Sequence, residues 1–386
     1  MSFIITLLAA VFVFSAVIAI HEFGHFAVAK LCGVQVNEFS IGMGPVLLKK
    51  MHHGTQYSLR ALPVGGFVAL EGEESPESQQ AEGEERSDLE EQPLSQRSGA
   101  DSSPNGGALN GEEVSQPTGK PLNEAPVWQR ALIMAAGACM NFLLGFVVMA
   151  IVLTAQNEPI TSRVIYAVED GALCGQTGLE AGDKVLAVNG RRCFVANDML
   201  YELMRTEDYS ASFTVLRDGK KVELPCVQFD TWQDEDGETH MSLGFTVYGI
   251  RKTPVNVIKE AWNSVLYYGR IIFTSLMDLL RGRESINDLS GPVGIVTAIG
   301  QAASYGWQDL LELLALITVN VGIFNLLPFP ALDGGKVVFL LIEGVTGHAV
   351  PEKIQSGLTL AAFALLFALM IFATYNDIVR LVTGAI

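Results

Sequence analysis

The sequence is poor in charged residues, and poorest in basic ones. Only 17% of its 386 residues are charged, against about 25% in an average soluble protein, while 49% are hydrophobic. This composition excludes a simple soluble protein. With 25 Lys and Arg against 42 Asp and Glu, and no basic stripe, the chain lacks the surface that nucleic acid binding requires. Its five cysteines include no CxxC pair, which argues against a disulfide framework and a cysteine zinc site.

Long uncharged stretches account for the missing charge. Each is close to the roughly 20 residues that cross a bilayer core, which predicts a multi-pass α-helical membrane protein with about four transmembrane helices. A cleaved signal peptide is less favoured for the first stretch, because no Lys or Arg precedes it and no cleavage site follows it. The expected spans lie within 1–72 and at 127–156, 308–335 and 356–376, the third broken near its end by prolines.

Basic residues are unevenly placed around these spans. The connection between the first two spans holds Lys30, Lys49, Lys50, Arg60 and Arg130. Because basic residues close to the spans favour the cytoplasmic side, we expect this connection to be cytoplasmic and the N-terminus to be outside. The region between the second and third spans is then extracytoplasmic.

Residues 73–124 have the composition of a chain without a core. From Glu71 to Glu124 there are 14 acidic and 3 basic residues, together with many Ser, Gln, Gly and Pro. Such a segment buries too little apolar surface to offset its ordering entropy, which predicts a disordered acidic insert. An acidic interaction tail is the less favoured alternative.

Two further segments lie between the second and third spans. Residues 160–230 alternate strand-like runs with turn signals around one helical stretch, which predicts a small α+β domain. Its pattern Gly178-Leu179, Gly182-Asp183 and Asn189-Gly190 resembles a PDZ domain, a fold that commonly binds a peptide as an added strand. Scaffolding without a ligand stays open. Residues 251–290 have the apolar spacing of an amphipathic interfacial helix, and their charges argue against a fifth span.

Residues Tyr57–Leu70 read as a hairpin or a pair of extended strands around Pro63 and Gly65-Gly66. An extended edge can bind another extended chain through main-chain hydrogen bonds. A plain cytoplasmic hairpin is an equally good interpretation at this stage.

The most informative motif is His21-Glu22-Phe23-Gly24-His25. Positions i and i+4 of a helix share a face, so two imidazoles can bind one zinc while the adjacent Glu22 reaches a metal-bound water as general base. The motif ends an otherwise uncharged span, where ionisable groups are costly and usually functional. The alternative is that all three side chains simply face the membrane interface.

A catalytic zinc needs a third protein ligand. The best candidate is Asp333, because it is the only ionisable residue between Glu312 and Lys336. A turn acid at a helix end, beside Gly334-Gly335, is the alternative. Asn320 and Asn325 in the same stretch can hold a substrate backbone or join helices.

These motifs together resemble the bacterial site-2 proteases, most closely the RseP/RasP group of intramembrane zinc metalloproteases. The resemblance rests on the HExxH motif in a first span, Asn325-x-x-Pro-x-Pro-x-Leu-Asp333-Gly-Gly in a later one, and a PDZ-like domain between them. It implies one zinc ion per chain, held by His21, His25 and Asp333, with Glu22 as the catalytic base. It further implies that Asn325 contacts the substrate and that the hairpin with Gly65 and Gly66 pairs with it.

The expected protein is therefore a multi-pass enzyme of the bacterial plasma membrane, with its active site toward the cytoplasm and its PDZ-like domain outside. The resemblance implies single-span membrane substrates, such as anti-sigma factors or signal-peptide remnants, that another protease has already shortened. The expected partners are these substrates, a peptide ligand of the PDZ-like domain and the lipid bilayer. An inactive PDZ scaffold is the main rival and a metal transporter the second. The insert and the single PDZ-like domain depart from some members of the family.

Overall fold

The computed structural model describes residues 3–73, 119–206, 208–234, 237, 239–283, 285 and 289–383. The chain divides into two compact units. The first unit consists of Met1–Val13, Ala138–Leu327 and Thr359–Ile386, and the second consists of Phe14–Gly137 and Pro328–Leu358.

The helices of the described residues, in chain order, are α1 (Phe3–Leu31), α2 (Val127–Ala155), α3 (Leu173–Gln176), α4 (Ala196–Met204), α5 (Pro254–Leu280), α6 (Pro292–Tyr305), α7 (Trp307–Leu326), α8 (Asp333–Thr346) and α9 (Glu352–Thr383). The strands are β1 (Val36–His52), β2 (Thr55–Leu70), β3 (Ile160–Val168), β4 (Lys184–Val188), β5 (Arg191–Arg192), β6 (Ser210–Arg217), β7 (Lys220–Gln228), β8 (Asp230–Gln233), β9 (Thr239–Ser242) and β10 (Phe245–Ile250).

Four of the described helices are long and apolar enough to cross a membrane. They are α1 from Ile4, α2, α7 and α9. Helix α9 illustrates the pattern, because Leu360 and Phe367 are 73% and 60% exposed, which suits contact with lipid rather than water. The predicted number of about four spans is confirmed by length and composition.

The third predicted span, 308–335, is broken at its two prolines, and its continuous helix ends before the predicted second bound. Helix α7 ends at Leu326, and α8 begins separately at Asp333. Pro328 and Pro330 lie between them, and proline both removes a backbone N–H donor and disfavours helical geometry in the residue before it. Asp333 therefore stands at the start of a new helix rather than within the span.

The predicted interfacial helix 251–290 is also too long. Helix α5 begins at Pro254, where the Oγ1 of Thr253 accepts the N–H of Asn256, and it ends at Leu280. A separate helix, α6, follows from Pro292 and has no counterpart in the sequence prediction. The connection between α5 and α6 begins near Gly282, which has a φ of 70°, and ends at Gly291-Pro292. These helix-breaking residues explain why the two helices are separate.

In the second unit, β1 and β2 form an antiparallel hairpin that is longer than predicted. It starts at Val36, and His53 and Gly54 form its turn with φ values of 47° and 71°, the conformation of a tight hairpin turn. The predicted stretch Tyr57–Leu70 is thus one strand of the pair. Both long strands fold back on themselves, so that Ile41 lies opposite both Leu59 and Gly66.

Most of the predicted insert, residues 74–118, lies outside the described residues. Its described end does not behave as an insert, since Leu122 is 7% exposed within a core that includes Val36, Leu70 and Ile133. The backbone of Lys120 also pairs with that of Val34 in an isolated parallel β-bridge. The predicted bound at 124 is therefore wrong: the chain rejoins the fold at about Gly119, because an apolar side chain at 122 has a place in this core.

In the first unit, a six-stranded sheet follows the order β10-β3-β4-β6-β7, with β5 paired to β4. Helices α3 and α4 pack with it around a core that includes Ile165, Met199, Phe213 and Val215. The predicted bound of the domain at 230 is wrong. Strand β10 belongs to the same sheet, where Phe245 lies opposite Val168 and Ile250 opposite Ile160, so the domain extends to Ile250.

Ion pairs attach this domain to helix α5. Arg205, which follows α4, bonds the carboxylate of Asp278 on α5, and Arg270 on α5 contacts the carboxylate of Asp198 on α4. Both carboxylates are at most 1% exposed. Each element thus supplies a cation to a buried acid of the other.

Candidate metal centre

Three predicted ligands come together in the second unit. His21 and His25 lie one turn apart on α1, and both residues are nearly buried, at 9% and 8% exposure. Their Nε2 atoms are 3.2 Å apart. The Oδ2 atom of Asp333 lies 3.1 Å from the Nε2 of His21 and 3.4 Å from that of His25.

The backbone before α8 explains how Asp333 reaches the imidazoles. Gly334 and Gly335 are buried, and a Cβ at position 335 would collide with the carbonyl of Phe329 and come within 2.6 Å of the Cα of Pro330. Only glycine allows the loop to close this tightly against the first turn of the helix. Gly335, two residues after Asp333, therefore belongs to the geometry of the site.

Ion pairs within the second unit hold α8 in place. Arg130 of α2 pairs with Glu343, and Lys336 donates to the Oε1 of Glu73 at 2.7 Å. Aromatic contacts join α1 to the β1–β2 sheet, since the ring centroid of Phe26 on α1 lies 5.1 Å from that of Phe39 and 5.8 Å from that of Tyr57. Helix α1, the sheet and α8 thus reach the site from one connected framework.

The three ligand atoms fit a divalent zinc ion. Tetrahedral zinc with bonds of about 2.0 to 2.2 Å places its ligand atoms roughly 3.3 to 3.6 Å apart. The observed separations are 3.1 to 3.4 Å. Two imidazoles and one carboxylate are also a ligand set typical of catalytic zinc, which leaves a fourth position for water.

The hydrogen bond of His25 sets its tautomer. Its Nδ1 lies 2.8 Å from the backbone carbonyl oxygen of Ile133 on α2. A carbonyl oxygen can only accept, so Nδ1 carries the proton and the Nε2 lone pair is left for a metal. Sequence reasoning missed Ile133, because any residue type supplies a backbone carbonyl.

Gly137, one turn further along α2, was also missed. A Cβ at this position would lie 2.6 Å from the Cε1 and 2.8 Å from the Nδ1 of His21, and closer still to the Nε2 of His25. The run Ala135-Ala136-Gly137-Ala138 was the available signal, because small residues in a span mark close approach of another element.

The remaining predicted site residues lie on three elements. Glu22 follows His21 on α1. Gly66 of β2 faces Glu22, since a Cβ at position 66 would lie 3.5 Å from the Cγ of Glu22. Gly65 has a φ of 92°, where a Cβ would meet the side chain of Met43. Asn325 is half-buried in the last turn of α7, which belongs to the first unit, and its role stays a prediction.

Comparison with known proteins identifies the family. The profile of Peptidase family M50 matches residues 9–369. The chain is 29% identical to the regulator of sigma-W protease RasP of Bacillus subtilis (98% of this chain, 99% of the relative). It is 31% identical to zinc metalloprotease RasP of Geobacillus kaustophilus (97% of each) and 30% identical to that of Shouchella clausii (97% and 99%). The chain is thus a zinc-dependent metalloprotease and belongs to peptidase family M50, the site-2 proteases.

Proposed function

We propose that this metalloprotease hydrolyses a peptide bond within or next to the transmembrane segment of single-span membrane proteins. The observation that supports this most is the position of the ligand cluster. Two of its members, His21 and His25, lie with the proposed base Glu22 on a helix that is apolar and long enough to cross a membrane, and Asp333 meets them from the start of α8. A protease whose metal ligands stand on such a helix meets its substrate at membrane depth.

In this proposal His21, His25 and Asp333 hold one zinc ion. When bound, zinc lowers the pKa of a coordinated water to about 7 and polarises the substrate carbonyl. Glu22 takes a proton from the attacking water, whose oxygen bonds to the carbonyl carbon. Glu22 then delivers that proton to the leaving amide nitrogen as the peptide bond breaks. Asp333 and the two imidazoles keep their places throughout.

The hairpin offers a place for the substrate backbone. The segment Gly66–Leu70 pairs with Val36–Ile41 on one side, and no described strand pairs with its other side. A helical substrate must unwind before its carbonyls can react, and an edge strand can supply the hydrogen bonds that lipid cannot. Because Gly66 faces Glu22, a strand added at this edge would run beside the proposed base. Asn325 is the further substrate contact that we propose.

The name of one relative supports the proposed substrate class. One of them is named a regulator of sigma-W protease, which supports anti-sigma factors as substrates here, with signal-peptide remnants as the other class. We expect the substrate to have been shortened by another protease. We also propose that the domain of Ile160–Ile250 is a PDZ-like peptide-binding domain outside the cell, and that the active site faces the cytoplasm, in keeping with the basic residues after α1.

Replacement of the base tests this function. Glu22→Gln keeps the shape of the side chain and removes its ability to accept a proton, so we expect cleavage of single-span substrates to fall by at least about 1,000-fold while zinc content stays at one per chain. Purified protein in detergent or vesicles is assayed for both. Glu124→Gln, an exposed residue of the same unit, is the matched control and should cleave as the wild type does.

The outcomes separate the alternatives. Zinc in both proteins with products from the wild type alone supports the protease and the role of Glu22. Equal cleavage by Glu22→Gln contradicts that role. Peptide binding by the Ile160–Ile250 domain without zinc or products would favour the scaffold, and zinc uptake into vesicles without products would favour a transporter.

A further inference from the structure

Helix α2 contains none of the predicted site residues, yet one of its turns lies against both imidazoles. We propose that Gly137 is a positioning residue of the metal centre. Its missing side chain leaves room for the imidazole rings, and the carbonyl of Ile133, one turn earlier, accepts a hydrogen bond from His25. Together these two features form a seat that fixes the position and the tautomer of His25. This inference rests on the proposed ligand set of His21, His25 and Asp333.

The first half of the seat is a shared hydrogen-bond acceptor. In a regular helix the carbonyl of Ile133 accepts the N–H of Gly137, four residues later. The same oxygen also accepts the Nδ1–H of His25 at 2.8 Å. A carbonyl oxygen has two lone pairs, so both donors are accommodated. The imidazole is thus tied to the one turn of α2 that ends at Gly137, and Ile133 is fully buried, where water does not compete for the bond.

The second part of the seat is the absence of a side chain at position 137. Any Cβ there would lie within 2.6 Å of a ring atom of His21 and nearer to the Nε2 of His25, distances that real Cβ atoms essentially never adopt. The atoms that would clash are the rings of the two ligands, and one is a nitrogen that we assign to zinc. A methyl group would push both rings aside and disturb the separations of 3.1 to 3.4 Å among the ligand atoms.

Another glycine of the same helix provides a matched control. A Cβ at Gly145 would lie 2.8 Å from the Cγ2 of Val319 and 3.3 Å from that of Thr318, so it also stands in a tight helix contact. Its two nearest neighbours are methyl groups, the third is the carbonyl oxygen of Ala315 at 3.5 Å, and none is a proposed metal ligand. Gly145→Ala therefore reports the general cost of a methyl group in this helix, and Gly137→Ala reports that cost plus the effect on the centre.

The test compares zinc affinity, measured by competition with a fluorescent chelator, in the purified wild type, Gly137→Ala, Gly145→Ala and His21→Ala. We expect Gly137→Ala to bind zinc at least tenfold more weakly than wild type, the size of effect typical of groups that position metal ligands. Gly145→Ala should stay within about twofold, because it does not touch the ligands. The absorption of bound cobalt, recorded on the same proteins, reports whether the coordination geometry has changed.

A wild-type affinity and cobalt spectrum in Gly137→Ala would overturn the inference. Zinc-free wild type, or His21→Ala that binds zinc as well as wild type, would overturn the ligand set itself and the inference with it. If Gly137→Ala folds poorly, the same substitution is made in a His21→Ala, His25→Ala background. We expect most of the loss in thermal stability to disappear there, since the rings are gone. An equal loss in both backgrounds would show that the methyl group does not act through the imidazoles.

Discussion

The metal centre and the Ile160–Ile250 domain both bury charged side chains, but they neutralise them in opposite ways. In the domain, Asp183 is fully buried and receives two hydrogen bonds of 2.7 Å from Arg217. In the metal centre, the ion pairs that Asp333 makes with described residues are to His21 and His25, and none is to a lysine or arginine. A buried acid that is paired with its own arginine is neutralised within the fold, whereas a buried acid that faces two imidazoles has the surroundings of a metal ligand. This difference supports the proposal that the Asp333 cluster holds a metal and that the Asp183–Arg217 pair is part of the domain's structure.

The largest expected effect comes from breaking the metal centre. Asp333→Asn removes the one negative charge among the three ligands, so zinc affinity should fall by about 100-fold or more and cleavage should stop. Zinc titration and substrate cleavage on the same protein measure this. Hydrogen exchange in β4 and β6 of the domain should not change, because that region carries its own counter-charge. Retention of zinc at wild-type affinity would remove Asp333 from the ligand set.

A smaller effect is expected from Asp183→Asn, which should weaken the domain and leave the metal centre unchanged. The substitution leaves the guanidinium of Arg217 without its main partner, although this side chain is 24% exposed and also bonds the carbonyl of Gly178. We expect a loss of about 2 kcal/mol in local stability, which corresponds to amide exchange about 30-fold faster in β4 and β6. Zinc affinity should stay as in wild type. Exchange at the wild-type rate would mean that this ion pair contributes little.

The smallest effect concerns thiol reactivity in the domain. Burial raises the pKa of the Cys193 thiol to about 11. Burial disfavours the thiolate, so at pH 8 only about one molecule in a thousand carries it, and alkylation should be slow until the pH approaches the pKa. The exposed thiol of Cys226 in β7 should react far sooner. Peptide mass spectrometry after timed labelling with iodoacetamide compares the two. Equal rates would indicate that the domain core opens readily.

Local patterns were sufficient for part of the fold. The strand-like runs and the helical stretch predicted within residues 160–230 correspond to β3, β4, β6, β7 and α4, because periodicity and turn signals are properties of short segments. Strand β10 was missed because it joins the sheet only by pairing with β3, some 80 residues earlier along the chain. Strand β1 was missed because Gly42, Gly44 and the adjacent Lys49-Lys50 interrupt its pattern, and its pairing with β2 holds it extended.

The candidate site was likewise predictable from the sequence only in part. The spacing of His21, Glu22 and His25 matches the helical period, which predicts that two imidazoles and the adjacent carboxylate lie on one side of a helix. Asp333 stands out in the sequence as the ionisable residue of a late apolar stretch. The folded chain was needed to see that Asp333 begins its own helix, and that the carbonyl of Ile133 and the bare backbone of Gly137 lie against the imidazoles. The reason is physical: a backbone carbonyl and an absent side chain have no residue type to recognise, and they acquire a role only when packing brings α1 against α2.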